Sequence, residues 1–104
     1  MKQLHFLGAS QQDLAAFPEQ AKREAGFDLW QVQLGLMPRD FKSMPTVGAG
    51  AYEIRVKIGT QWRVIYVANR GNAVYVLHAF QKTSQKTEKK DIDLAAARYK
   101  AIRD

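Results

Sequence analysis

Hydrophobic and polar residues alternate along the second half of the chain in a pattern that predicts three consecutive β-strands. Across residues 52–58, apolar side chains alternate with Glu, Arg and Lys, so this segment has one apolar face and one charged face. Two more β-prone runs, 62–68 and 73–80, follow after short turns at 59–61 and 69–72. Because connections this short join antiparallel neighbours, the pattern predicts an antiparallel meander.

The first half of the chain shows helical spacing instead. Apolar residues recur at intervals of three and four across 11–36, which predicts helix, and Pro18 and Gly26 predict breaks within it. We therefore expect a helical pair that follows a first strand at 3–7 and precedes a loop at 38–50, where two prolines and two glycines fall.

One further amphipathic helix is predicted at the C-terminal end, capped by Thr87 in the way that Ser10 is expected to cap the first helix. Its buried stripe would consist of Ile92, Ala95, Ala96, Tyr99 and Ile102. The whole pattern is βααβββα. It predicts an α+β fold in a single domain, residues 1–104, with a curved sheet that carries its helices on one face.

The composition excludes several kinds of functional site. The 104 residues include no cysteine, which excludes disulfides, thiolate metal sites and a cysteine nucleophile. No apolar run approaches 18 residues and no secretory signal is evident, so we expect a cytoplasmic protein without a membrane partner.

The net charge of +6 lies entirely in residues 53–104, which carry eleven basic and five acidic side chains. Such one-sided basicity is typical of proteins that bind a polyanion, although it also suits a solubilising surface.

The strand pairing predicts where these cations meet. Placing Ile58 opposite Trp62 keeps apolar residues on one face, and placing Asn69 opposite Asn72 then sets Arg63 opposite His78. A row of cations would cross the three strands on the face without helices, and an anion such as phosphate would relieve their repulsion. The candidate catalytic residues are Arg55, Lys57, Arg63 and His78.

Aromatic and basic residues next to this row are candidates for RNA binding. Phe80 or Tyr66 would offer a surface for an unstacked base, and Lys82 and Lys86 would lie just beyond the strand end. Each residue also has an ordinary interpretation: a solvated lysine, a core aromatic, a histidine bound to backbone, or Arg55 paired with Glu53. No metal or other cofactor is expected, since the two histidines are far apart and no phosphate-binding loop or nucleophile elbow is present.

The order of motifs resembles the phage-derived branch of the RelE/HigB toxins of bacterial toxin–antitoxin pairs. In the N-terminal half, Phe17-Pro18-Glu19, Gln33-Leu34-Gly35, Pro38 and Lys42 carry the resemblance. In the strands it is carried by Tyr52-Glu53-Ile54-Arg55, by Trp62-Arg63-Val64-Ile65-Tyr66, and by the run from Val76 to Lys82 followed by Ser84-Gln85-Lys86-Thr87. Thr83 and Glu88 depart from the pattern, since a lysine and a proline are common there.

The resemblance implies a toxin that cuts messenger RNA on the ribosome and is held inactive by a DNA-binding antitoxin, often of helix–turn–helix type. It would place Arg55, Lys57, Arg63 and His78 on the active face. Arg55 and Arg63 would then stabilise the phosphate, Lys57 would support charge, and His78 would act as general acid or base. Two alternatives stay open: a ParE-like toxin that blocks DNA gyrase by binding, and an RNA-binding module without catalysis.

Overall fold

The computed structural model describes residues 1–102 as an α+β fold with a five-stranded mixed sheet and three helices. Strand order is β1-β5-β4-β3-β2; β1 pairs parallel with β5, and the other pairs are antiparallel. The elements in chain order are β1 (Gln3–Phe6), α1 (Ser10–Ala15), α2 (Glu19–Gln33), β2 (Phe41–Ser43), β3 (Ala51–Ile58), β4 (Thr60–Arg70), β5 (Ala73–Lys82) and α3 (Lys89–Lys100). The predicted fold class is confirmed, and the short strand β2 adds to it within the predicted loop.

The helices differ from the prediction in their details. The break at Pro18 is confirmed, whereas Gly26 lies inside the continuous helix α2, where the cost of about 1 kcal/mol for one helical glycine does not end the helix. Neither predicted cap is present, because both hydroxyls bind elsewhere. Ser10 donates to the carbonyl of Val76 at 3.1 Å, and Thr87 donates to a carboxylate oxygen of Glu53 at 2.6 Å.

Helices cover both faces of the sheet, so the expectation of helices on one face is wrong. One core cluster joins α1 and α2 to the sheet through residues such as Leu29, Val64 and Val76. A second cluster joins α3 to the opposite face through Ala95 and Leu77, among others. The reason is the composition of that opposite face: it is charged at one end of the strands and apolar at the other, and α3 covers the apolar end. Within residues 1–102, no helix has the length and apolar character needed to cross a bilayer.

The strand registers also differ from the predicted ones. Only Gly59, with a φ of +71°, separates β3 from β4, so Arg55 pairs with Arg63. This shift of two residues leaves every side chain on its predicted face. Between β4 and β5, Arg63 lies opposite Phe80 and Ile65 opposite His78. The predicted pairing of Arg63 with His78 is therefore wrong, because the turn at Gly71 and Asn72 sets Arg70 opposite Ala73, where the prediction set Asn69 opposite Asn72.

Candidate functional site

Three strands present their charged side chains in rows on the face that carries α3, beyond the end of that helix. The row nearest the sheet end consists of Lys57, Gln61 and Lys82. The next row is Arg55, Arg63 and Phe80, and the third, closest to α3, is Glu53, Ile65 and His78. Alternation along each strand brings these residues to one face, with successive rows about 7 Å apart.

The centre of this arrangement is a buried ion pair that the sequence did not reveal. Arg63 is 1% exposed and Glu53 is fully buried, with Arg63 Nε 3.4 Å from Glu53 Oε1. Burial lowers the pKa of the Arg63 guanidinium, while the charge of Glu53 acts in the opposite direction. The guanidinium also donates to Gln61 Oε1 at 2.7 Å and to the carbonyl of Trp62 at 3.0 Å. Arg63 is therefore buried and fixed in the sheet, although a place on a face without helices would have left it exposed.

A basic groove lies over the two rows that are farthest from α3. Its volume is about 680 Å³, and its lining consists of Arg55, Lys57, Gln61, Arg63, Lys82, Thr83, Ser84 and Gln85. Among the described residues, no carboxylate belongs to this lining, although Glu53 lies beside Arg63. The Nε of Arg55 is buried and has no hydrogen-bond partner within residues 1–102. A phosphate in the groove would supply that missing acceptor together with the opposite charge.

Lys82 is a half-buried lysine of the groove. Partial burial, together with the neighbouring charges of Arg63, Arg55 and Lys42, lowers its pKa, and Glu53 opposes this shift. An anion bound in the groove would favour the charged form of Lys82 again. The lysine is thus suited both to hold a phosphate and to give up a proton more readily than an ordinary lysine.

His78 lies in the row closest to α3 and does not line the groove. The ring is 6% exposed, and its Nε2 is 2.7 Å from Asp91 Oδ1 on α3. Its Nδ1 is buried and has no hydrogen-bond partner within the described chain. The ring stacks on Phe80, with centroids 4.6 Å apart and planes 16° apart. Asp91 therefore orients His78, and His78 in turn supports the face of Phe80 beside Arg63. The sequence alone did not indicate this partner, because it depends on how α3 docks.

Two predicted RNA-binding residues lie elsewhere. Tyr66 is 2% exposed in the core beneath α1 and α2, and burial raises the pKa of its phenol. Tyr66 lies on the apolar face of β4, as the two-residue repeat predicts, so its buried ring does not border the cations. Lys86 is exposed but lines a separate depression with Lys42, next to the start of α3. Residues 1–102 contain no group of three His, Cys, Asp or Glu side chains placed to hold a metal.

A protein-family model matches most of the chain. The family model for the phage derived protein Gp49-like family (DUF891) matches residues 12–100, which include α2, the four later strands and α3. No curated protein matches the chain. The matched family is phage-derived and associated with the toxins of toxin–antitoxin pairs, so it implies an antitoxin as partner. With most of its length covered by this match, the chain belongs to the phage derived protein Gp49-like family.

Proposed function

We propose that the protein is a toxin that cuts messenger RNA on the ribosome and thereby stops translation. The observation that carries this proposal is the basic groove, with Arg55, Lys57 and Lys82 around an arginine held in place by a buried carboxylate. Preorganised cations of this kind stabilise the charge that develops on a phosphate during cleavage. Family membership supports a toxin, and the proposed antitoxin is a DNA-binding protein of helix–turn–helix type.

The proposed reaction needs no metal or other cofactor. The 2′-oxygen of a nucleotide attacks the adjacent phosphorus while the bond from phosphorus to the 5′-oxygen breaks. The products are a 2′,3′-cyclic phosphate and a 5′-hydroxyl. Arg55 and Arg63 face the phosphate oxygens, Lys57 adds charge, and the adjacent Phe80 stacks on a base. The protein thus orients the nucleotide and stabilises the pentavalent phosphorus.

Proton transfer is assigned differently from the sequence prediction. His78 was the predicted general acid or base, but its ring is covered and its Nε2 faces Asp91. We assign protonation of the leaving 5′-oxygen to Lys82 instead, because this lysine lines the groove and its pKa is lowered. The part of the groove lining that the structure describes offers no carboxylate or imidazole to accept the 2′ proton. This supports dependence on the ribosome, which would present the strand and supply that base.

The direct test uses purified protein, a defined messenger RNA and ribosomes, with the new 5′ ends mapped by primer extension. We expect cuts when ribosomes translate the message and none on the naked message. The variant Lys57→Ala/Lys82→Ala should lose most of the cutting, whereas Lys100→Ala, which alters an exposed lysine on α3, should cut normally. Intact message together with loss of gyrase supercoiling activity would instead support the ParE-like alternative. Binding without cuts would support a non-catalytic RNA-binding module.

Salt dependence should report the phosphate contacts of the groove. Each phosphate neutralised on a single strand contributes about 0.7 to the slope of log affinity against log salt concentration. For a 2′-O-methyl RNA oligonucleotide, which cannot be cut, Lys57→Ala/Lys82→Ala should therefore lower the slope by about 1.4. Fluorescence anisotropy at several salt concentrations measures the slope, with Lys100→Ala as the control for loss of an exposed lysine outside the groove. An unchanged slope would mean that both lysines are only solvated.

A further inference from the structure

A second cavity lies at the other end of β5, on the same face of the sheet, and the proposed reaction does not use it. Its volume is about 710 Å³, and small Ala73 lies between two pairs of larger side chains. One pair is His5 with Tyr75 and the other is Arg70 with Tyr99. We call this cavity the aromatic pocket. Ala73 and Lys82 are separated by nine residues of β5, which is roughly 30 Å of strand, so the pocket is distinct from the groove.

Both pairs are held in place by the fold. His5 and Tyr75 are direct neighbours across the parallel β1–β5 pair, and their rings stack with centroids 5.3 Å apart. The Arg70 guanidinium lies over the Tyr99 ring at 4.8 Å. Tyr99 is fixed in turn, because its hydroxyl donates to the carbonyl of Ala49 at 2.8 Å and its ring packs closely on Gly48.

The polar lining specifies the kind of ligand. Three side-chain amides, those of Gln3, Asn69 and Asn72, surround the aromatic pairs, and none of the lining residues within 1–102 is acidic. Aromatic faces bind bases, amides can pair with base edges, and an arginine suits a phosphate. An acidic peptide would find a single arginine here, and a purely apolar ligand would cover the amides of Gln3 and Asn72 without pairing them. The Asn69 amide already donates to the carbonyl of Ala49 at 3.3 Å.

We propose that the aromatic pocket binds an unpaired RNA nucleotide as a second contact, separate from the groove. In this proposal the base stacks on the exposed His5–Tyr75 pair, its edge meets the amides, and the phosphate lies near Arg70. The choice of RNA as the polymer rests on the proposed function. A toxin with this second contact would hold a flanking strand of message or an unpaired ribosomal nucleotide while the groove engages the bond to be cut.

The test uses a 2′-O-methyl adenosine trinucleotide, which cannot be cut and is too short to span roughly 30 Å. In the wild-type protein, NMR titration should shift the ring resonances of His5, Tyr75 and Tyr99. His5→Ala should weaken the affinity measured from the Tyr75 and Tyr99 shifts roughly tenfold, as expected for loss of one stacking partner. His5→Phe restores a ring and should stay within about twofold of wild type. The groove variant Lys57→Ala/Lys82→Ala should leave the affinity at this pocket unchanged.

The outcomes separate this proposal from the proposed function. Shifts confined to the groove, or an affinity at the pocket that His5→Ala does not change, would overturn the second contact even if the protein cuts message on the ribosome. Shifts at the three rings that His5→Ala weakens and His5→Phe restores would support it. They would do so even if the translation assay showed no cuts, because trinucleotide binding needs neither ribosome nor catalysis.

Discussion

Replacing Glu53 by alanine should lower the free energy of unfolding by about 3–5 kcal/mol, as expected when one partner of a buried ion pair is removed. The carboxylate is fully buried, faces Arg63 and accepts a hydrogen bond from the hydroxyl of Thr87. Its loss therefore leaves a buried guanidinium and a hydroxyl without their partner. Urea unfolding followed by circular dichroism measures the change. Glu19→Ala, at an exposed position on α2, is the matched control and should change the free energy of unfolding by less than about 0.5 kcal/mol.

A second variant distinguishes the charge of Glu53 from its packing. In Glu53→Ala/Arg63→Met, no buried charge is left without a partner, so much of the lost stability should return although the cavity at Glu53 remains. The double variant should nevertheless be inactive, because it removes an arginine of the groove. If Glu53→Ala alone costs less than about 1 kcal/mol, water reaches Arg63 freely and the guanidinium is not fixed in the way that the proposed reaction requires.

The two-residue repeat was enough to assign faces on β3 and β4 but not to assign neighbours. Arg55, Lys57 and Arg63 share a face in the predicted register and in the observed one, since the two differ by two residues. Which residues lie opposite Arg63 depends instead on the single-residue connection at Gly59 and on the position of the turn at Gly71 and Asn72. The hydrophobic pattern specifies neither turn to the residue, so the predicted neighbour of Arg63 on β5 was His78, whereas the observed neighbour is Phe80.

The sequence prediction also missed that α3 covers part of the charged face of the sheet. Ile65, Val67 and Leu77 make one end of the charged face apolar, and this signal was present in the sequence. It indicates that a helix covers that end, which buries His78 and brings Asp91 to its ring. The burial of Glu53 follows from the same docking, because Thr87 closes over its carboxylate just before α3 begins. Contacts of this kind depend on where a distant helix lies, which local periodicity does not specify.

Replacing Arg55 by alanine should reduce the rate of message cleavage on the order of 10²- to 10³-fold, the typical cost of deleting one preorganised donor to a transition state. Arg55 lines the groove, its buried Nε has no partner within residues 1–102, and it is paired with Arg63 across the strands. Because a cation opposite another cation is unfavourable before substrate binds, its removal should not lower stability and should even raise it slightly. Single-turnover cleavage on programmed ribosomes and urea unfolding give the two readouts.

A large loss of cleavage without a loss of stability distinguishes a functional arginine from a structural one. Arg55→Lys should recover little activity, since lysine keeps the charge but loses the planar fork that faces two phosphate oxygens. A charge-matched control is Arg23→Ala, an exposed arginine on α2, which should cut message at the wild-type rate. Wild-type cleavage by Arg55→Ala would move the site away from the groove. Unfolding of Arg55→Ala would instead assign the residue to the core pair of Glu53 and Arg63, because only a stabilising role there makes its loss costly to the fold.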